Sequence, residues 1–254
     1  MVWKPPDVVA RRFPLIARPR PACLPLHRRV HALVELADTA AKRGDPSVAS
    51  TVINQAALIA SDVGLPALAR EMCRRHAATY LRTAPLTAGS AIRALEPVVN
   101  LARLHLRAGR ADDGRQHLLT LFDAITTGRP ARVEDVAVPA DLVQQADDRE
   151  EVRVWLWSIL LADGTRALAT AGRWTEALAH VQARRGIGQR MLDGRQVAVL
   201  AALVALDPAH AGDLLGDTAP GEPWEQAVTA CLTALCHRST GQLVDRYAHG
   251  LADI

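Results

Sequence analysis

Eight residues, Ala171-Gly172-Arg173-Trp174-Thr175-Glu176-Ala177-Leu178, constrain this chain more than any others. A small residue and a glycine close one helix, and an aromatic residue opens the next. An alanine three positions later lets two helix backbones come close. The segment therefore reads as the turn of an antiparallel helix pair. Weaker forms recur at Gly44-Asp45-Pro46-Ser47-Val48-Ala49, Gly64-Leu65-Pro66-Ala67-Leu68-Ala69 and Gly109-Arg110-Ala111-Asp112-Asp113-Gly114. The whole chain is expected to be an all-α stack of helical hairpins.

Composition supports that expectation. Hydrophobic residues make up 49% of the 254 positions but aromatics only 4%. The core must then be built of Ala, Leu and Val, which favour helices that pack closely. Lys4 and Lys42 are the only lysines; arginine carries the rest of the basic charge, a pattern of high-GC bacterial genomes rather than of phosphate binding. A net charge of +3 gives no argument for nucleic acid as a partner. Cys23, Cys73, Cys231 and Cys236 are too few for a disulfide framework in a chain this long, and read as free thiols of a cytoplasmic protein. No secretory h-region is present. The longest apolar run, Val197 to Leu206, is too short to span a bilayer, so no membrane association is expected.

In chain order, residues 1–25 form a Pro- and Arg-rich arm, expected as a loosely packed leader or as a basic arm for an acidic partner. A first set of helical repeats fills residues 26–127. Its helices are expected at Leu26–Arg43, with an apolar stripe of Leu26, Val30, Leu33 and Ala37; from Pro46 to about Val63, burying Val48, Val52, Ile53 and Ala60; and on to about Arg82, burying Leu68, Met72, Cys73 and Ala77. Two more follow at Ser90–Ala108, despite Pro97, and Asp112–Thr126. Asp45 and Pro46 are the N-cap and first residue of the second of these. Residues 128–147 form a connecting loop in which Val133, Val136 and Val138 make a short extended or helical piece. The second set fills residues 148–254: Asp148–Ala171, Trp174 to about Arg184, Gly188 or Arg190 to Leu206 with a break or bend near Asp193-Gly194, Pro208–Asp217, Glu222–Arg238 with Trp224, Val228, Cys231 and Leu232 inward, and Gln242–Ala252.

The segment Gly172-x-Trp174-x-x-Ala177-Leu178 resembles the inter-helix turn of tetratricopeptide (TPR) repeats, with Leu161 and Gly164 roughly where the first helix of a repeat carries its apolar and small residues. The match is good once and degenerate at the other three turns, which are not spaced at the family's repeat length. The long Ala/Leu/Arg-rich helices are similar to TPR-like domains of actinobacterial regulators and of accessory proteins in natural-product gene clusters. The resemblance implies a right-handed antiparallel helical-hairpin array, an α-solenoid, whose concave face binds a peptide or protein partner. Its exposed apolar ends would allow a homodimer.

The fourth helix supplies the strongest candidate ligand- or peptide-binding site. Arg93, Glu96, Asn100, Arg103 and Arg107 recur at three- and four-residue spacing and share one face, which is either a solvated face with internal ion pairs or a groove lining. Asn100 can bond a peptide amide through both donor and acceptor, Arg103 and Arg107 can hold a carboxylate, and Asn54 on the second helix can join them. Other patterns point less far. Asp147-Asp148-Arg149-Glu150-Glu151 has the spacing of a terpene-synthase magnesium motif, but it also suits the first turn of a helix, and no second motif accompanies it. Cys73-x-x-His76 and His27-x-x-x-His31 have zinc spacing without partner ligands. Gly186-Ile187-Gly188 lacks the preceding strand of a phosphate loop. Asp163 and Arg166 read as a register-fixing ion pair or a pocket-lining pair. No catalytic triad assembles locally, so no cofactor, metal or catalytic residue is assigned. The expected function is a non-enzymatic scaffold or adaptor accessory to a biosynthetic or regulatory system. The alternatives are a ligand-sensing regulatory domain and a helical enzyme with a dispersed active site.

Overall fold

The computed structural model describes residues 5–17 and 24–241. Cys23, part of the N-terminal arm and the helix expected at Gln242–Ala252 lie outside the described residues. The order of elements is α1 (Asp7–Ala10), α2 (Leu26–Arg43), α3 (Pro46–Asp62), α4 (Pro66–Leu81), α5 (Ala88–Arg107), α6 (Ala111–Thr127), β1 (Ala131–Val133), β2 (Val136–Val138), α7 (Ala146–Thr170), α8 (Trp174–Ala183), α9 (Asp193–Val204), α10 (Pro208–Gly216) and α11 (Pro223–Ser239). The protein is predominantly helical. No helix among the described residues is long and apolar enough to cross a membrane. The chain divides into two compact units within α7: residues 20–160, and residues 161–254 together with the first 19. The 128–147 segment, expected to separate two halves, lies inside the first of these.

In the unit of residues 20–160, each of α2 to α6 packs on the next in sequence. Gly44 ends α2 at φ +59, a left-handed conformation that suits glycine at a helix C-terminus. Asp45 then caps α3, accepting from the Ser47 and Val48 amides at 2.8 and 3.2 Å, as its sequence predicts. The core gathers Leu95, Val98, Leu101, Leu118, Leu121 and Leu156. α5 is its central member: it runs unbroken through Pro97, which forgoes one backbone bond, and buries residues on nearly every side. Four expected burials fail. α2 packs chiefly on α3, and Leu26 and Val30 remain 47% and 44% exposed. On α3 the deep face is Ser50, Ala57 and Ala60, while Ile53 lies over a shallow apolar depression against α2. On α4 Leu68 is exposed and Ala69, Cys73, His76 and Ala77 are buried.

β1 and β2 pair antiparallel with Val133 opposite Val136, leaving Glu134 and Asp135 as a two-residue loop. Glu134 holds φ +50, which costs a non-glycine residue of order 1 kcal/mol. Val133, Val136 and Val138 point into the core, and Arg132 and Ala137 point away from it, as period-two alternation requires.

In the other unit residues 171–173 form the turn between α7 and α8. Gly172 has φ +74, the Arg173 amide returns to the Leu168 carbonyl at 3.0 Å, and Trp174 and Ala177 are buried. A Cβ added at Gly164 would come 2.6 Å from His180 Nε2, so glycine is what lets α8 lay that ring on α7. α9 begins only at Asp193; residues 188–192, expected as helix, form a loop pinned by Arg195, which donates to the carbonyls of Gly188 and Leu214. Residues 5–17 of the arm are docked rather than loose. Ala10 and Phe13 enter the core of this unit, and the Gln196 side chain accepts from the Leu15 amide at 2.7 Å and donates to its carbonyl at 2.8 Å. Cys231, expected inward, is exposed; the face of α11 that packs inward carries Val228, Leu232 and Cys236 instead.

Candidate functional site

The polar stripe of α5 is half-buried, because α3 lies beside it. Asn54 of α3 donates from Nδ2 to Glu96 Oε2 at 2.8 Å and accepts at Oδ1 from Asn100 Nδ2 at 3.3 Å. Arg103 Nη1 approaches Asn100 Oδ1 at 3.5 Å. Arg93 donates to Ser90 Oγ at 3.1 Å, and its charge acts on Glu96 together with that of Arg103. One turn on, Arg107 donates to Ser61 Oγ at 3.0 Å and to Asp62 Oδ1 at 2.8 Å; Arg29 of α2 holds the other Asp62 oxygen at 2.7 Å. The six residues singled out from sequence, Asn54 and five on α5, thus stand along one face of α5 and α3. Asn54, Asn100 and Arg103 form a single ladder with Glu96, Arg93 flanks it, and Arg107 closes a separate cluster at its end. Asn100 is only 8% exposed, with donor and acceptor both engaged inside the ladder. Asn54, Arg93, Glu96 and Arg103 are half-buried, and Arg107 is exposed.

Charge is tuned along this face. Burial raises the Glu96 carboxyl above its ordinary value of 4.5, outweighing the Asn54 bond and the charges of Arg103 and Arg93. At Asp62 burial is the largest influence, yet the bonds and charges of Arg29 and Arg107 together prevail and hold the carboxyl low. A carboxyl whose pKa is raised in the fold costs stability once pH exceeds both its ordinary and its folded value. Glu96→Gln keeps an acceptor for Asn54 and removes that cost. Urea denaturation at pH 7 should show equal stability or a gain of a few tenths of a kcal/mol, with the difference gone near pH 3. A loss above about 1 kcal/mol would show that the ladder needs the negative charge.

A second constellation has no counterpart among the residues singled out from sequence. Glu134, at the hairpin tip, accepts from Arg70 Nε at 3.2 Å, Arg74 Nη2 at 3.0 Å and His105 Nε2 at 2.7 Å. His105 also lies edge-on to His117. Burial works to raise the Glu134 carboxyl, but the bonds from His105 and Arg70 outweigh it and hold the group below 4.5. Such a carboxylate is no general base at neutral pH; it fastens the hairpin to α4 and α5. The signal available in sequence was the pattern Val133-Glu-Asp-Val136-Ala-Val138, a two-residue turn within an alternating run. Its helical partners lie 29 to 64 residues away and leave no local trace.

The remaining patterns have structural uses. Cys73 is buried, and burial followed by the Glu134 charge pushes its thiol up to about 11; His76 pairs with Ser50 at 3.0 Å. No group of three His, Cys, Asp or Glu suited to a metal ion occurs among the described residues. Asp147 and Asp148 begin α7, and Glu150 pairs with Arg153 on the same helix. Asp163 is half-buried and Arg166 exposed. Compared with protein-family models, curated proteins and solved structures, the chain matches none.

Proposed function

We propose that this protein is a TPR-like helical-repeat scaffold or adaptor that binds an extended segment of a partner protein along the α3–α5 face. The observation that carries the reading is the ladder of Asn54, Glu96, Asn100 and Arg103 across two neighbouring helices. Amide side chains match the donor–acceptor pairs of a peptide backbone, and the guanidinium groups beside them match its carboxylates. The buried rung, Asn100, orients Asn54 and Arg103, while Arg103 and Arg107 make the outward contacts. A non-enzymatic, cytoplasmic role accessory to a biosynthetic or regulatory system completes the proposal.

Selection from a displayed random-peptide library, followed by calorimetry of the selected sequences, tests it. Arg103→Glu should weaken a selected peptide at least tenfold while thermal melting of the variant stays close to that of the parent. A library that yields no binder, or peptides that bind Arg103→Glu equally well, would remove the assignment.

A further inference from the structure

On another face of the same unit, α4 and the β1–β2 hairpin enclose a concavity of about 730 Å³. Its helical wall is Arg74, Ala78 and Leu81, at spacings of four and three on α4, with Arg82 immediately after the helix end. The hairpin wall contributes Ala131, Ala137 and the flanking Pro130 and Pro139, so the floor is apolar. Its charged groups are three arginines and one aspartate. Arg74 is spent, since its Nη2 holds both Glu134 and Asp135, the latter at 3.2 Å. That contact also uses the concavity's single carboxylate. Arg82 and Arg132 have no hydrogen bond or ion pair with any described residue, and both are exposed. On open surface water would serve either guanidinium. Here the two line one concavity, where like charges reinforce one another and draw an anion. Volume, apolar floor and unneutralised guanidinium groups together fit the usual make-up of a small-ligand site.

We propose that this groove binds a small organic acid, an apolar body bearing one carboxylate, with the carboxylate held by Arg82 and Arg132 and the body on Leu81, Ala137 and Pro139. The site is separate from the α3–α5 face and does not depend on what binds there. Guanidinium supplies paired donors to a carboxylate, and an apolar chain displaces water from Ala78, Leu81 and Ala137.

The probe is decanoate, titrated calorimetrically into the full chain below its micelle concentration. The expected result is saturable binding at one site, at least tenfold weaker for decanamide, which keeps the chain and loses the charge. Arg82→Gln and Arg132→Gln together should weaken decanoate at least tenfold. Ala78→Trp, which fills the groove and leaves both arginines in place, should do the same. All three positions are exposed, so the variants are expected to fold, and unchanged melting checks that. Absence of saturable binding, equal affinity for decanamide, or full affinity in the double variant would overturn the proposal. A peptide with a free C-terminal leucine that bound while decanoate did not would overturn it in favour of peptide capture.

Discussion

Replacing Glu134 with alanine should destabilise the unit of residues 20–160 by about 2–4 kcal/mol, or roughly 5–15 °C in Tm. The carboxylate neutralises Arg70 and Arg74 and accepts from His105, and its own side chain is almost buried. Removing one partner of a half-buried charge cluster leaves the others desolvated without compensation, which is why the loss exceeds that of an exposed pair. The upper end of the range is discounted because Arg74 retains a third of its exposure and keeps Asp135. Hydrogen exchange gives the location: amides of β1, β2 and the adjoining turns of α4 and α5 should lose protection, and those of α9 to α11 should not. The dependence on pH gives the cause. A carboxyl held below its ordinary 4.5 contributes stability that is fully present above that value and is lost as pH falls through the lower folded value. The gap between parent and Glu134→Ala should therefore be constant at neutral pH and shrink on acidification below about 4.5. Glu134→Gly loses the same bonds but relieves φ +50, and should recover about 1 kcal/mol relative to alanine. A gap that persists unchanged to low pH would mean that the turn conformation, rather than the charge cluster, fastens the hairpin.

The same cluster shows where reading the sequence stops. Turn chemistry is local, so Gly44, Asp45, Gly172 and Trp174 declare their roles through neighbours within a few residues. The three- and four-residue recurrence of Arg93, Glu96, Asn100, Arg103 and Arg107 likewise places them on one side of α5. Burial is a property of neighbours, and periodicity alone does not count them. The stripe of α2 has the pattern of a core face, yet Leu26 and Val30 stay exposed where chiefly α3 packs on it, whereas the polar stripe of α5 is half-buried because α3 lies against it. Asn100 illustrates the consequence: its side-chain amide is engaged within the protein rather than offered to solvent. Pairings such as Glu134 with His105 join residues far apart in sequence through packing of the whole unit, and only the assembled fold brings them together.

Gly194→Ala should be the most damaging single-atom addition in the unit of residues 161–254, at about 3 kcal/mol or more. Local preference argues the other way: Gly194 lies in the first turn of α9, and alanine is favoured over glycine inside a helix by about 1 kcal/mol. The sign is set by what the new methyl would meet. It would overlap the Gly186 carbonyl oxygen, with the carbonyl carbon at 2.7 Å and the Ile187 amide nitrogen at 3.2 Å. These are backbone atoms, so no rotamer change relieves the overlap; the 186–192 loop must move away from α9. That loop is also held by Arg195 at Gly188 and by Gln196 at Met191, so displacement strains those bonds as well. The matched control is Gly188→Ala, two residues from Gly186 with nothing within 4 Å of the added atom, which should change stability by less than about 0.5 kcal/mol. Paired urea titrations decide the matter. A large loss at position 194 beside a neutral result at position 188 would show that Gly186 and Gly194 act as one contact, in which the absence of two side chains sets how closely the loop and α9 approach. Equal, small effects at both positions would show that the loop accommodates the methyl and that the close approach is not required for folding.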